Sequence, residues 1–297
     1  MKKVGVIGIG NMGSGLAKNL IKAGFEVCGR DLLPHRMDAF AEMGGYKMNS
    51  SADVGRNADA VFVMVMTGDE AKEVILGDGL ITTMKAGSVI LLTATINASE
   101  AREIDQGLNG SDIHLIDSPV SGGYPGAQAG TLTLMAAGQN EVLDTYVDVM
   151  DAVSGTIHRV GTDIGMGQTV KACLQSLIGS IFSATFEASV LAAQAGVDAE
   201  VLQKVFNTSS AGSVITRTSL ENIIDRQFND TGSHISTMYK DLTISMDLAR
   251  ELGVPLFTAS MAMQLFQAGI TKYPDSDNWS VTKITEEIVG AELKRQN

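Results

Sequence analysis

The first half of the chain alternates short apolar runs with segments of helical periodicity. The apolar runs cover residues 3–8, 25–29, 60–65, 88–92 and 113–117. Runs of this length without polar alternation predict strands that are buried on both faces, as in a parallel sheet. Helical patterns near residues 11–23, 34–43, 69–76, 98–108 and 140–151 separate them. This order predicts βαβ units and a doubly wound α/β sheet, to which residues 132–137 and 156–160 add edge strands.

After residue 161 the pattern is helical throughout. Residues 165–195 carry small and apolar side chains at helical spacing with little charge, which predicts one long helix that is buried on most sides. Gly196 follows, and its freedom at positive φ suits the residue just past a helix end. Further helices are predicted near residues 198–207, 214–226, 237–252, 255–268, which Pro255 opens, and 280–294. We therefore expect an α/β domain over residues 1–162 and an all-α domain over residues 163–297.

The composition is that of a globular protein, with 44% hydrophobic and 19% charged residues in a chain of 297. No signal peptide and no run of 18 or more apolar residues is found, so we expect a cytoplasmic protein without a membrane segment. The formal net charge of −12 argues against nucleic acid or an anionic membrane as partner, because both require a basic face. Cys28 and Cys173 are interpreted as buried apolar residues in a reducing compartment. The four histidines have no ligand spacing, so no metal site is expected.

Residues 8–13, Gly-Ile-Gly-Asn-Met-Gly, directly follow the first predicted strand and open a helix. In this position the free backbone N–H groups and the positive helix end face a pyrophosphate. Gly8 permits a tight turn, Gly10 leaves room for the phosphates, and Gly13 lets the helix approach the strand. A Rossmann-type dinucleotide site is therefore predicted, with Asn11 and Met12 beside the cofactor; a purely structural turn is the alternative.

Asp31 follows the second predicted strand, 18 residues after Gly13. A carboxylate there accepts hydrogen bonds from the adenosine ribose diol and repels a 2′-phosphate, which favours NAD over NADP. The neighbouring Arg30 leaves NADP open, because a guanidinium could pair with that phosphate.

Two further segments carry unusual chemistry. Residues 117–133 contain Ser121, Gly122 and Gly123, whose hydroxyl and backbone N–H groups suit a carboxylate ligand. Residues 165–175 place Lys171 on an apolar helix just after two glycines. Burial is costly for an amine and lowers its pKa, which suits a group that exchanges protons with a substrate. A lysine that reaches water or forms a structural ion pair is the alternative.

Together the three segments resemble the β-hydroxyacid dehydrogenase family, which includes 3-hydroxyisobutyrate dehydrogenase, tartronate semialdehyde reductase and L-threonate dehydrogenase. The resemblance covers essentially the whole chain. It implies a 6-phosphogluconate dehydrogenase-like helical domain and a homodimer or homotetramer. It also implies an NAD-dependent enzyme that interconverts a small 3-hydroxy acid and its oxo acid or semialdehyde.

The resemblance assigns roles to individual residues. It makes Lys171 the general acid/base and Ser121-Gly122-Gly123 the carboxylate site. Relatives that prefer NADP carry Asn-Arg where this chain has Asp31 and Leu32, which again favours NAD. The remaining matched positions are Thr95, near the nicotinamide and the substrate; Gln175, at the substrate; Lys240, at both; Asp241, which supports the site; and Met64 and Val65, where relatives have Met-Leu-Pro.

One position departs from the family. Relatives carry Asn, or His in threonate-type members, three residues after the lysine, and this chain has Leu174. A leucine cannot hydrogen-bond a substrate, so either another residue supplies that contact, the substrate is apolar there, or activity is degraded. A non-catalytic dinucleotide-binding protein is therefore kept as an alternative. An imine-reductase-like enzyme is a second alternative, because imine reductases share this two-domain build, although they generally lack the lysine. Ser213, Arg217 and His234 lie where relatives differ by substrate.

Overall fold

The computed structural model describes residues 2–295. They form two compact units, the first ending at Lys171 and the second beginning at Ala172. This division falls within one continuous helix, Met166–Gln194. The domain boundary after residue 162 stays a prediction.

The first unit is built on a sheet that has nine strands within the described residues. Six parallel strands follow the order β3-β2-β1-β4-β5-β6. In this order the chain changes direction across the sheet between β1 and β4, where doubly wound proteins bind ligands at the carboxyl ends of the strands. The strands are β1 Lys3–Ile7, β2 Glu26–Arg30, β3 Tyr46–Lys47, β4 Ala60–Val63, β5 Val89–Leu92, β6 His114–Asp117, β7 Val120–Ser121, β8 Leu132–Ala137 and β9 Ser154–Gly161.

The prediction that residues 132–137 form an edge strand is wrong. β8 pairs antiparallel with β6 and β7 and parallel with β9. Because it has neighbours on both sides, its apolar sequence is buried rather than exposed at an edge. Leu132 and Leu134, for example, have no exposed surface.

Helices cover both faces of the sheet, and a separate apolar core lies under each face. Alternation along β1 shows why, since Val4 and Val6 face one core and Ile7 faces the other. The helices are α1 Asn11–Lys22, α2 Pro34–Glu42, α3 Ser51–Asn57, α4 Gly68–Lys72, α5 Leu80–Thr83, α6 Ala98–Gly107, α7 Gly123–Ala129, α8 Asn140–Thr145 and α9 Val147–Asp151. The helix predicted over residues 140–151 is interrupted at Tyr146, and the one predicted over residues 69–76 continues α4 as a π turn, Glu73–Gly77.

The second unit is helical. Its core contains four aromatic side chains, with ring centroids 5.6 Å apart for Phe182 and Trp279 and 5.8 Å apart for Phe182 and Phe186. The helices are α10 Met166–Gln194, which the two units share, α11 Ala199–Thr208, α12 Val214–Ile224, α13 Ile235–Leu252, α14 Phe257–Lys272 and α15 Thr282–Val289.

Two predicted helix limits are wrong. Pro255 does not open α14, which begins at Phe257 after Leu256 as N-cap. The last helix does not reach residue 294, because Gly290 adopts φ +72° and ends it after Val289. The end of α10 is as predicted: Gly196 has φ +75°, and its N–H bonds back to the Ala193 carbonyl.

α10 is buried on most sides, as predicted, and one stripe along its length is exposed in the chain. Leu177 is 58% exposed and Leu191 is 72% exposed. Cys173 lies on the exposed side and is not buried as predicted, whereas Cys28 is. By length and composition α10 could cross a membrane, with mean hydropathy 1.4, although core helices of soluble proteins pass the same test. Because α10 lacks 18 consecutive apolar residues, the criterion applied to the sequence did not identify it as a helix apolar enough to cross a membrane.

Candidate functional site

The glycine-rich turn joins β1 to α1, and two of its glycines are required by contact. Gly8 adopts φ +87°, and a Cβ there would lie 2.2 Å from the Met64 carbonyl oxygen. A Cβ on Gly13 would lie 1.8 Å from the Gly8 carbonyl oxygen. Any side chain at either position would therefore push α1 away from the ends of β1 and β4.

The start of α1 is free to receive an anion. Gly10 is its N-cap, no side chain caps the helix, and its first turn, which contains Asn11 and Met12, carries no acidic residue. The atoms nearest to a Cβ on Gly10 would be those of the Arg36 guanidinium, the first of them 3.5 Å away. Unpaired N–H groups at a helix start suit a pyrophosphate, so this turn fits the dinucleotide that the sequence predicts.

Asp31 stabilises the glycine-rich turn by hydrogen bonding through its carboxylate. Its side chain is 6% exposed, and its two oxygens accept hydrogen bonds from the Ile9 N–H at 2.8 Å and the Leu33 N–H at 2.9 Å. Arg36 lies 3.3 Å from the same carboxylate and is 41% exposed. Sequence analysis missed Arg36. Its position five residues after Asp31, near the start of α2, is the feature of the sequence that could have indicated a contact with Asp31.

Met64, Val65 and Thr95 follow the carboxyl ends of two neighbouring strands. Met64 donates its N–H to the Ile7 carbonyl at 2.9 Å, which extends the pairing of β4 with β1 beside the glycine-rich turn. Met64, Val65 and Thr95 are all half-buried. Although Met64-Val65-Met66 replaces the Met-Leu-Pro of relatives, the backbone of this segment still lies beside the glycine-rich turn.

The Ser121 segment combines a strand end with a short helix. Ser121 pairs with Thr133 across β7 and β8, after which Gly122 and Gly123 adopt φ +128° and +60°. α7 follows at once, so this run is less of a loop than its glycines suggested. Gly15 of α1 allows α7 to approach closely, since a Cβ there would lie 2.5 Å from the Ala127 carbonyl carbon.

Lys171 is 6% exposed on α10. The start of this helix is held by Asp117, which has no exposed surface and accepts hydrogen bonds from the N–H groups of Gly165 at 2.9 Å and Gln168 at 3.2 Å. Burial raises the pKa of Asp117 to about 6, although these hydrogen bonds oppose the rise. Sequence analysis singled out neither Asp117 nor Gln168 as a functional residue.

The second unit brings together three predicted residues. Gln175 donates to the Asp241 carboxylate at 2.6 Å, and Lys240 lies 2.9 Å from the other oxygen of that carboxylate. Gln175 and Asp241 are buried, and the Lys240 side chain is 23% exposed. Leu174 is half-buried beside Gln175 in the sequence.

Two weaker candidates have structural roles in the same unit. Ser213 caps α12 by accepting from the Thr216 N–H at 3.0 Å, and His234 caps α13 by accepting from the Ser236 N–H at 3.3 Å. Within residues 2–295 no group of three His, Cys, Asp or Glu side chains could hold a metal ion.

The strand order and the glycine-rich turn define a dinucleotide-binding α/β domain joined to a helical domain. Residues 3–161 match the family model for the NAD binding domain of 6-phosphogluconate dehydrogenase. Residues 165–285 match the model described as NAD-binding of NADP-dependent 3-hydroxyisobutyrate dehydrogenase.

Individual proteins agree with this assignment. L-threonate dehydrogenase of Escherichia coli K12 is 32% identical over 95% of this chain and 94% of its own. The NAD-dependent L-serine dehydrogenase of Pseudomonas aeruginosa is 30% identical over 98% of this chain and 100% of its own. The solved structure of 3-hydroxyisobutyrate dehydrogenase from Salmonella typhimurium covers 96% of this chain and 100% of its own, with 30% identity and a TM-score of 0.88.

The chain belongs to the β-hydroxyacid dehydrogenase family and is an NAD(P)-binding oxidoreductase. The family, the fold class and the general activity expected from the sequence are thereby confirmed.

Proposed function

We propose that this enzyme interconverts a small 3-hydroxy acid and its oxo acid or semialdehyde, with NAD as cofactor and Lys171 as general acid/base. The observation that carries the proposal is the burial of Lys171, 6% exposed, on a helix whose start is tied to the end of β6. Burial of a charged amine costs free energy of folding. A role in proton transfer explains why a lysine occupies this buried position. L-Threonate and L-serine, named for two relatives, are both small hydroxy acids and support the substrate class.

Each part of the reaction has candidate residues. Ser121, Gly122 and Gly123 offer a hydroxyl and backbone N–H groups to the substrate carboxylate. Lys171 takes the hydroxyl proton on Nζ during oxidation and returns it during reduction. Gln175 and Lys240 are assigned to the substrate. Lys240 also approaches the cofactor, and Asp241 holds both side chains in place.

The turn at residues 8–13 is assigned to the cofactor pyrophosphate, with Met64, Val65 and Thr95 nearer the nicotinamide. NAD, when bound, accepts or supplies the hydride at nicotinamide C4. We propose NAD rather than NADP because the Asp31 carboxylate, fixed by two N–H groups, repels a 2′-phosphate and neutralises Arg36. A carboxylate has about four acceptor positions, so it can still bind a ribose diol.

Lys171→Ala tests the central assignment. It should lower kcat by roughly 10²–10⁴, the range for a positioned general acid/base, and leave the Kd of NAD nearly unchanged. Lys204→Ala, on the exposed side of α11, is the control and should keep full activity. Retention of most of the turnover by Lys171→Ala would assign the proton to another residue.

A substrate panel tests the reaction class. NAD reduction should be measured with threonate, glycerate, 3-hydroxyisobutyrate, serine and a hydroxy-sulfonate. We expect turnover with at least one of the carboxylic acids. No turnover with any member, despite NAD binding, would favour a non-catalytic dinucleotide-binding protein.

We also propose a cytoplasmic homodimer or homotetramer. The exposed leucines of α10, Leu177 and Leu191, support self-association, because large exposed apolar side chains in a row favour an interface. Both cysteines are free thiols, as a reducing compartment requires. Sedimentation velocity tests the oligomeric state, and a purely monomeric protein at micromolar concentration would contradict it.

A further inference from the structure

Two buried polar side chains connect three parts of the first unit. Asp117 ends β6 and has no exposed surface, while Gln168 lies in the first turn of α10 and is 1% exposed. Gln168 Nε2 donates to Asp117 Oδ1 at 2.9 Å. A buried polar group without a hydrogen-bond partner costs free energy of folding. Asp117 and Gln168 keep all their partners in only one arrangement of the surrounding backbone, so their hydrogen bonds favour that arrangement.

The Gln168 side-chain amide forms hydrogen bonds with the backbone on both sides of Thr95. Its Oε1 accepts from the Ile96 N–H at 3.1 Å, and its Nε2 donates to the Ala94 carbonyl at 3.0 Å. Only the nitrogen can donate and only the oxygen can accept here, so the amide has a single satisfactory orientation. The segment that follows β5 is thereby fastened to the first turn of α10.

Asp117 fixes the other side of the same turn. Its Oδ2 accepts from the N–H groups of Gly165 and Gln168, two donors at the start of α10 that have no partner within the helix. A Cβ on Gly167 would lie 2.6 Å from the carbonyl oxygens of both Asp117 and Met135, so the helix start also lies directly against β6 and β8. Neither tilt nor rotation of this turn is possible without breaking these contacts.

We propose that Gln168 and Asp117 are positioning residues that set the place of Lys171 relative to Thr95 during proton and hydride transfer. This rests on the proposed function, since it takes Lys171 as the proton-transfer group. Lys171 lies three residues after Gln168, about one helical turn. A displacement of about 1 Å in a reacting group can cost about 10²-fold in rate, so a loosened first turn should reduce turnover strongly.

The competing explanation is that the pair only stabilises the fold. Both explanations predict a lower melting temperature when it is broken. They differ in kinetics: a positioning role lowers kcat and leaves cofactor affinity intact, whereas a stabilising role leaves kcat of the folded protein unchanged.

Gln168→Met removes all three hydrogen bonds of the side-chain amide and keeps the length of the side chain. Tyr146→Phe is a control that also loses a partly buried hydrogen bond of the first unit, from the Tyr146 hydroxyl to the Gly87 carbonyl. Gly87 precedes β5 and Thr95 follows it, so the control affects the amino end of β5, whereas Gln168 contacts the segment after its carboxyl end.

We expect Gln168→Met to lower kcat by about tenfold or more and to raise the primary deuterium isotope effect, with the Kd of NAD changed by less than twofold. Hydrogen–deuterium exchange should quicken in two segments together, residues 94–97 and 165–171. Tyr146→Phe should change none of these quantities. Unchanged kcat in Gln168→Met, or faster exchange confined to one segment, would overturn the proposal.

Gln168→Glu keeps the shape and serves if the methionine variant fails to fold. Its carboxylate faces Asp117; the other charged groups near this turn include Arg102 of α6, beside Gly165, Asp163, which precedes the helix, and Lys171. A proton shared by the two carboxyl groups restores the donor between them. The kcat of this variant relative to wild type should therefore rise as the pH falls, and a constant ratio would contradict positioning.

The two proposals fail in different ways. If Lys171→Ala keeps its turnover, the proposed function fails. If Lys171→Ala is inactive and Gln168→Met keeps wild-type kcat, only the positioning role fails.

Discussion

At the scale of single residues, we expect cofactor choice to depend on the balance between Asp31 and Arg36. The arginine lies beside Gly10 and is 41% exposed, where a 2′-phosphate could reach it, but the carboxylate 3.3 Å away neutralises it. Sequence position alone suggested the aspartate and left the arginine unnoticed, because their pairing depends on how the loop after β2 folds.

The wild-type enzyme should prefer NAD at least tenfold in kcat/KM, equivalent to about 1.4 kcal/mol. Asp31→Ser should reduce or reverse this preference, because the serine hydroxyl carries no charge and Arg36 becomes available to a phosphate. Asp31→Ser combined with Arg36→Ala is the matched control and should not gain activity with NADP. Equal use of both cofactors by the wild type would contradict the role given to Asp31.

At the scale of elements, α10 carries both the proposed general acid/base, Lys171, and the main departure of the sequence from the family pattern, Leu174. Its first turn is fixed by Asp117 and Gln168, Lys171 follows one turn later, and Leu174 one turn after that. Helical spacing could be read from the sequence. The partners of the first turn could not, because they lie in β6 and in the segment after β5, about 50 to 75 residues away.

Leu174→Asn should widen the substrate range towards polyhydroxy acids. A buried substrate hydroxyl without a partner costs about 1–3 kcal/mol, and asparagine would supply one. The measurement is kcat/KM for threonate and 3-hydroxyisobutyrate in both proteins. Leu252→Asn, at the end of α13 and 62% exposed, is the control and should alter neither value. Loss of activity on every substrate would show instead that Leu174 is needed for packing.

At the scale of the whole molecule, two cores lie on either side of the sheet and a third lies among the helices of the second unit. The carboxylate of Asp117 lies at the end of β6, where its burial couples stability to pH. Burial raises its folded-state pKa to about 6, above the ordinary aspartate value of 3.8. Between these values the folded state binds more protons than the unfolded state, so this contribution to stability falls as pH rises from 4 to 6 and is constant above.

The free energy of unfolding of wild type relative to Asp117→Asn should therefore decrease by up to about 3 kcal/mol between pH 4 and pH 7. Taking the difference between the two proteins removes the titration of carboxylates that they share. Urea unfolding at pH 4, 5, 6 and 7 measures it. A difference that stays constant, or that grows with pH, would contradict the raised pKa.

The sequence by itself determined the alternation of strands and helices, the glycine-rich turn and the family. These depend on local periodicity and on residue types that tolerate few alternatives, as the contacts of Gly8 and Gly13 illustrate. Tertiary structure alone decided that β8 lies inside the sheet, that α7 follows Ser121 directly, that Arg36 pairs with Asp31, and that Gln168 joins α10 to the ends of β5 and β6. Each of these depends on contacts between residues distant in the chain or on the conformation of a loop, neither of which local periodicity encodes.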